Sequence, residues 1–384
     1  MKPLKSMRDV LITGIGLTAW RYHENVFHYD IGSEAVMAAL EDAEMEWKEI
    51  QAVFCGSVYQ GTASGHQVIK EVGFTGIPIV NVENACSSSG SAFRLAYQSI
   101  AAEIYDKILV LGVEVMPRGP IPSTAFRPWE LASGFNVQPA NYANLTVQYM
   151  KSSGATLEDL GLVTVKNRKN GALNKKARFQ KPVTLEEVME SKMIATPLRL
   201  LHCCPLADGG AAIILSSRRN VKNRRRAVQV LASTLTSAGY GEGYIDLVDS
   251  LKYPPSQSFV SLSAHQAYQE AGCGPSDIDI VQAYDTVSPS ELWDLEELGF
   301  CSHGEAHVLL RQGHFDLHGK LPVNTDGGLM SRGHPLGATS AGQLCEIVTQ
   351  IRGEAGVRQI ENARTGLAHS MGAGPNSSVT ILRK

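Results

Sequence analysis

The chain has 384 residues, of which 43% are hydrophobic, enough for two ordinary domains or one large fused pair around a sizeable core. A formal net charge of -3 leaves no footprint for nucleic acid or an anionic membrane, and no uninterrupted apolar run is long enough to span a bilayer. Seven unevenly spaced cysteines make no disulfide framework, and no apolar stretch follows the basic residues of 1–10, so the expectation is a cytoplasmic protein.

In chain order, V-L-I-T-G-I-G near residue 10 predicts a strand, S-E-A-V-M-A-A-L-E-D-A a helix, and I-Q-A-V-F-C-G and I-P-I-V-N-V two more strands. A helix follows Cys86, and K-I-L-V-L-G-V-E is again a strand. Such alternation predicts an α/β fold with a parallel or mixed sheet covered by helices. The first glycines are no phosphate-binding fingerprint, because G-x-G-x-x-G breaks at Ala19. Residues from about 116 to 220, rich in Pro, Asn, Lys and Arg, predict an inserted lid or ligand-binding loop domain. The triplet Arg224, Arg225 and Arg226 is expected to be a solvated connector.

Beyond it the pattern repeats. Residues 39–54 superpose without gaps on 267–282, sharing Ala39/Ala267, Ala43/Ala271, Ile50/Ile278 and Val53/Val281, with acidic residues at Asp42/Glu270 and Glu49/Asp277. Each copy leads to a small-residue helix start, N-A-C-S-S-S-G-S-A in one and G-H-P-L-G-A-T-S-A-G in the other. Two related halves are the economical reading: 1–225 with the insertion, and 226–384.

A cysteine at a helix start lies near unpaired N–H groups and the positive end of the dipole, which favour thiolate. Taken alone, Cys86 is as well explained as a small core residue. His334 sits between Gly333 and Pro335, a turn suited to holding an imidazole in one pose. In G-L-A-H-S-M-G-A-G-P-N-S-S, small residues follow His369 and Ser370; this is either a hairpin or a loop whose N–H groups face developing negative charge. His202, Cys203 and Cys204 lack metal-ligand spacing, and His303, His307, His314 and His318 fit a polar excursion, so no metal site is expected.

Together with V-T-V-K-N-R-K-N-G-A-L-N (163–174), P-L-R-L-L-H-C-C-P-L-A-D-G-G-A-A (197–212) and E-L-W-D-L-E-E-L-G-F-C (291–301), these motifs resemble the thiolase superfamily over nearly the whole chain. The resemblance is to its sterol-carrier-protein type and to acetyl-CoA acetyltransferase-like proteins. It implies a thiolase fold, with two similar mixed-sheet halves in α-β-α-β-α layers and a loop-domain insertion. It implies Cys86 as the acyl-accepting nucleophile, His334 as its base, and an oxyanion hole at the backbone N–H groups of Cys86 and Gly372. A second oxyanion, on the enolate, would meet His334 and Tyr284.

Here the chain departs from the pattern. Where sterol-carrier-type members have His-Asp-Cys-Phe, it has Tyr284, Asp285, Thr286 and Val287, and Ser370 stands where degradative members have their acid/base cysteine. A Tyr284 phenol on the enolate oxygen, with His369 or water moving the proton, is one way around the loss; a space-filling Tyr284 is the other. The resemblance implies no tightly bound cofactor and coenzyme A as co-substrate; the loop region itself offers Lys166, Arg168 and Lys169 as candidate phosphate contacts, although surface lysines and arginines are common. The resemblance further implies a homodimer core and, in some members, a small companion subunit with a zinc ribbon and an OB fold. The expected activity is CoA-dependent cleavage of a 3-oxoacyl-CoA, bulky, aromatic or steroid-like. The alternatives are a retro-aldol carbon-carbon lyase on an acyl-CoA ester and a non-catalytic acyl-CoA-binding or scaffold subunit.

Overall fold

The computed structural model describes residues 8–119, 121, 128–132, 137–239 and 258–384. The first half runs β1 (Val10–Leu17), α1 (His28–Asp42), β2 (Ala52–Gly56), α2 (Ser64–Val72), β3 (Ile79–Val82), α3 (Ser88–Ala101) and β4 (Lys107–Glu114). An excursion follows, with α4 (Pro128–Ala132), α5 (Gln138–Ser153), α6 (Leu157–Ala172), α7 (Leu185–Glu190), β5 (Met193–Ala195) and β6 (Leu198–Arg199). The chain returns through β7 (Gly209–Ser217) and begins the second half with β8 (Val228–Ser237), α8 (Phe259–Ala271), β9 (Ile280–Gln282) and α9 (Ser288–Glu297). It ends with α10 (Ala306–Arg311), α11 (Gly328–Arg332), α12 (Thr339–Arg352), β10 (Thr365–Gly372) and β11 (Asn376–Arg383).

Nine strands hydrogen-bond in the order β3-β2-β4-β7-β1-β8-β11-β10-β9, which reads as two mirror-ordered halves joined at β1 and β8. The sequence repeat holds in register: Val53 lies opposite Ile79 and Leu109, and Val281 lies opposite Val323 and Leu367. The partner of β3 in the second half is thus reduced to the bridge at Val323.

The two halves enclose α3 and α12 as a central layer, while α1 and α2 cover the first half and α8 and α9 the second. A helix enclosed between the two halves of the sheet has no solvent face. Accordingly every residue of α12 from Thr339 to Val348 is buried, and its Glu346 is neutralised by Arg358 at 2.7 Å. Gly112 lets both central helices reach the sheet, since a Cβ there would stand 2.8 Å from Ala338 Cα, Gly337 O and Ser89 Cβ.

One expected boundary is corrected. The nine residues of β7 are all buried and pair with both β4 and β1, so they belong to the centre of the sheet and the excursion ends before Gly209, short of residue 220. A strand covered on both faces lacks the polar alternation that would have announced it. Arg226 is also more than a connector, bonding Asp42 at 2.7 Å and Glu354 at 3.0 Å.

Candidate active site

Between β3 and α3 the chain makes a sharp elbow. Ala85 has φ of 49°, a left-handed conformation uncommon for a residue with a Cβ, and its N–H is held by Glu83 Oε1 at 2.7 Å. Serines brace the rest: Ser88 Oγ accepts from Asn84 N at 2.9 Å and donates to Ala85 O at 2.6 Å, and Asn84 Nδ2 donates to Ser91 Oγ at 2.7 Å. Cys86 is the next residue, half-buried, with Ser87 as the cap of α3. Burial pushes its thiol up to about 12, against a downward pull from the Tyr284 hydroxyl; Glu114 and Glu83 push it further up. Burial therefore outweighs the thiolate stabilisation expected at a helix start.

His334 lies 3% exposed in the loop between α11 and α12. Its N–H donates to Pro205 O at 2.9 Å, Nδ1 is 2.8 Å from Thr339 Oγ1, and Nε2 is 3.3 Å from the Tyr284 hydroxyl. Burial, assisted by the nearby Arg332 charge, lowers its pKa to about 3, so the imidazole is neutral. Tyr284, two residues beyond β9 and 2% exposed, belongs to the apolar cluster against which Cys86 packs and lies near enough to the Cys86 thiol for each to shift the other's titration. Its hydroxyl is therefore near both the candidate nucleophile and the candidate base. Burial raises that phenol well above its ordinary value, and the Cys86 sulfur adds to the shift.

Gly372 abuts the elbow: a Cβ there would lie 2.1 Å from Asn84 O. Ser370 faces the same central layer, its hydroxyl 2.7 Å from Ser340 Oγ and 3.3 Å from Ser87 Oγ, while Ser340 Oγ reaches Cys86 O at 3.5 Å. His369 is on the other face of β10, fully buried with Nδ1 3.2 Å from Asp294 Oδ2 of α9. The expectation that it moves a proton at the site is corrected by this strand alternation.

The candidate phosphate contacts are also corrected, in two cases of three. Lys166 is buried, paired with Glu291 at 3.0 Å and bonded to Asn167 Oδ1 at 2.6 Å and Val323 O at 3.0 Å. Arg168 is buried against the Phe179 ring at 3.9 Å, and desolvation lowers it to about 10. Lys169 is exposed.

Some residues of the site carried no sequence signal beyond an acid or amide beside a buried strand. Glu114, at the end of β4, accepts from Val58 N at 3.0 Å, Tyr59 N at 2.9 Å, Gln60 Nε2 at 2.5 Å and Gly337 N at 2.8 Å, fastening the α12 turn to the first half. Asp285 accepts from Leu329 N at 2.7 Å, Met330 N at 3.1 Å and Asn167 Nδ2 at 2.9 Å, which fixes α11 and hence the His334 loop. Residues 203–206 run between these parts: Cys204 N donates to Thr286 O at 2.9 Å, and Leu206 bridges His334. Among the described residues no group of three or more His, Cys, Asp or Glu is placed to hold a metal ion.

Residues 10–219 match the family model "Thiolase, N-terminal domain", and 253–384 match "Thiolase C-terminal domain-like". An acetyl-CoA acetyltransferase of Methanothermobacter thermautotrophicus is 36% identical over 98% of this chain and 100% of its own. The benzoylsuccinyl-CoA thiolase subunit BbsB of Thauera aromatica is 34% identical over 97% of this chain and 96% of its own. Among solved structures, the Ltp2-ChsH2(DUF35) aldolase superposes with a TM-score of 0.86 and 28% identity, covering 98% of this chain and 97% of that one. Human mitochondrial 3-ketoacyl-CoA thiolase superposes at 0.73 with 16% identity over 98% of this chain and 99% of its own, a likeness of fold.

Proposed function

The chain belongs to the thiolase family and is an acyltransferase enzyme, and on that premise we propose that it cleaves a 3-oxoacyl-CoA with CoA through an acyl group carried on Cys86. The observation that supports this reading is the Tyr284 hydroxyl, 3.3 Å from His334 Nε2 and in the cluster against which Cys86 packs. As the Cys86 sulfur attacks carbon 3, its proton passes to the Tyr284 oxygen while the phenolic proton passes to Nε2. The carbonyl oxygen gains negative charge, which the backbone N–H groups of Cys86 and Gly372 receive. The bond between carbons 2 and 3 then breaks, its electron pair leaving with carbon 2 as an enolate. A molecule of CoA, as co-substrate, finally takes the acyl group from Cys86.

The acyl group we propose is bulky, aromatic or steroid-like, supported by the benzoylsuccinyl-CoA named for the Thauera relative. That relative is a subunit, and the aldolase neighbour carries a DUF35 component. By analogy a homodimer of this chain works with a small companion subunit of the zinc-ribbon and OB type.

A second reading is favoured by the Tyr284 contact itself: a phenol on a neutral imidazole is also a base for opening a hydroxyl substrate, as in a retro-aldol lyase, and the aldolase neighbour supports it. Intact mass after incubation with 3-oxoacyl-CoA esters decides between them. A mass gain on the wild type, abolished in Cys86→Ser together with turnover, is the expected result. Carbon-carbon cleavage that survives Cys86→Ser establishes the lyase instead.

A further inference from the structure

Cleavage of a 3-oxoacyl-CoA leaves a carbanion at carbon 2 that must receive a proton, and the groups considered so far do not supply it. The proton held by His334 after acylation is the one that Cys86 takes back through Tyr284 at the end of the cycle, His369 faces Asp294 across the sheet, and the Ser370 hydroxyl lies between those of Ser87 and Ser340. Thr286 carries an aliphatic hydroxyl that does not titrate near neutral pH, and its neighbour is the Tyr142 phenol at 3.4 Å.

A second thiol lies beside that same Thr286. Cys204 donates its N–H to Thr286 O at 2.9 Å, and the next residue, Pro205, accepts the His334 N–H at 2.9 Å. Cys204 is thus clamped between the strand end that carries Tyr284 and the loop that carries His334. Its half-buried side chain packs against the apolar cluster that also receives Cys86 and contains Tyr284, Leu329 and Met371. After burial, the charges of Cys203, Asp285 and Cys86 reach the Cys204 sulfur and raise its titration further. Cys203 goes the other way, its sulfur on Arg199 O at 3.6 Å and its surroundings Tyr142, Leu198 and Val287. The adjacent cysteines therefore divide, one to the site and one to structure.

We propose that Cys204 is the second thiol of the reaction, the acid that protonates carbon 2 of the departing fragment. The inference rests on the acyl-Cys86 reading above. The Cys204 S–H bond breaks as a C–H bond forms at carbon 2, which releases a neutral acyl-CoA and leaves a thiolate on Cys204. That thiolate takes the proton of the incoming CoA thiol, whose sulfur attacks the acyl-Cys86 carbonyl. Cys86 leaves as thiolate and recovers its proton from His334 through Tyr284, so every group returns to its starting state. Burial pushes the Cys204 thiol well above its ordinary value, so it waits in the protonated form that an acid requires.

The test uses acetoacetyl-CoA and a 3-aryl-3-oxopropionyl-CoA as cleavage probes, 4-nitrophenyl acetate as an activated acyl donor, and acetyl-CoA in deuterium oxide for exchange at carbon 2. Cys204→Ala and Cys204→Ser are expected to lower cleavage about 10²- to 10⁴-fold and to abolish exchange, while Cys86 still takes the acetyl group from the nitrophenyl ester, whose leaving group needs no proton. Cleavage and exchange within threefold of wild type in Cys204→Ser overturn the proposal. Parallel loss of acylation and cleavage also overturns it, because a structural role gives that result. A wild type that forms no Cys86 adduct with either 3-oxoacyl ester overturns the function reading first, and this inference with it.

Discussion

The Tyr284 hydroxyl stands 3.3 Å from Nε2 of His334, and the hydrogen bonds around the ring fix which way that contact runs. Thr339 Oγ1 donates its proton to Pro335 O at 2.9 Å, so towards Nδ1 of His334, 2.8 Å away, it can only accept. Nδ1 therefore carries the ring proton and Nε2 offers a lone pair. Tyr284 donates to it, which leaves lone pairs on the phenolic oxygen to receive the Cys86 proton when the sulfur attacks. Two residues 50 positions apart in the chain thus form a relay of defined polarity.

The first prediction removes the middle of that relay. Tyr284→Phe keeps the ring in its buried place and deletes the hydroxyl, so the fold and the KM for acyl-CoA should change little. The kcat is expected to fall by about 10² to 10⁴, measured as CoA-dependent cleavage with thermal unfolding as the control. A variant with wild-type kcat makes Tyr284 a space-filling residue.

The repeat was legible because Val53 and Val281 pair with equivalent neighbours on both sides, so equal hydrophobic spacing reflected equal registry. Cys86 and His334 were legible from the small residues that each helix start needs in order to enter the central layer. The face of β10 was not. All eight of its residues are buried, so the polarity that separates an inward from an outward residue was missing, and His369 and Ser370 looked equivalent. Lys166 misled for a different reason: V-T-V-K-N-R-K-N has the charge of a surface helix, and the partner that permits its burial, Glu291, is 125 residues away in sequence. Glu114 and Asp285 likewise act on backbone N–H groups, which no side-chain pattern announces.

The second prediction concerns pH. With His334 lowered to about 3 and Cys86 raised to about 12, the resting pair is imidazole and thiol over the accessible range. The kcat/KM is expected to show no acid limb from His334 down to about pH 5, where an ordinary histidine near 6.5 would produce one. Alkylation of Cys86 by iodoacetamide should be slow at neutral pH and rise steadily into the alkaline range. For stability the sign is opposite to that of a salt-bridged histidine. Because the folded pKa lies below the unfolded 6.5, the unfolded chain binds a proton at this position that the folded chain refuses, so stability falls as pH drops from about 6.5 towards about 3. His202, lowered to about 4 by burial and Arg199, contributes in the same direction, so the His334 share is the part that disappears in His334→Gln.

The third prediction tests the elbow through its neighbour. Any Cβ at residue 372 would overlap the Asn84 carbonyl, 2.1 Å away, and the braced turn cannot yield without moving Cys86. Gly372→Ala should therefore slow acylation of Cys86 by an activated ester by at least about tenfold, the cost of misplacing a nucleophile by a fraction of an ångström, while circular dichroism stays native. Ala85→Val presses the same turn from within. At a φ of 49° a β-branched residue is strained, and a cost of about 1–3 kcal/mol is expected in chemical denaturation.

The last prediction separates a structural lysine from a coenzyme contact. Lys166 and Glu291 are 4% and 0% exposed, 3.0 Å apart, and Glu291 also accepts from Asn167 and Asn324 at 2.7 Å each. Lys166→Met leaves that carboxylate without its cation beside Asp285, whose own carboxyl burial and Glu291 already push well above the usual range. Breaking one side of a buried pair costs about 3–5 kcal/mol, so a large drop in unfolding midpoint is expected. The added substitution Glu291→Gln should recover part of it, because the amide needs no cation and keeps an oxygen where both asparagines donate. If Lys166 instead met a coenzyme phosphate, Lys166→Met would raise the KM for CoA while sparing a pantetheine thioester that lacks phosphates. Equal KM changes for CoA and the pantetheine thioester, with the loss confined to stability, are the outcome that the buried pair requires.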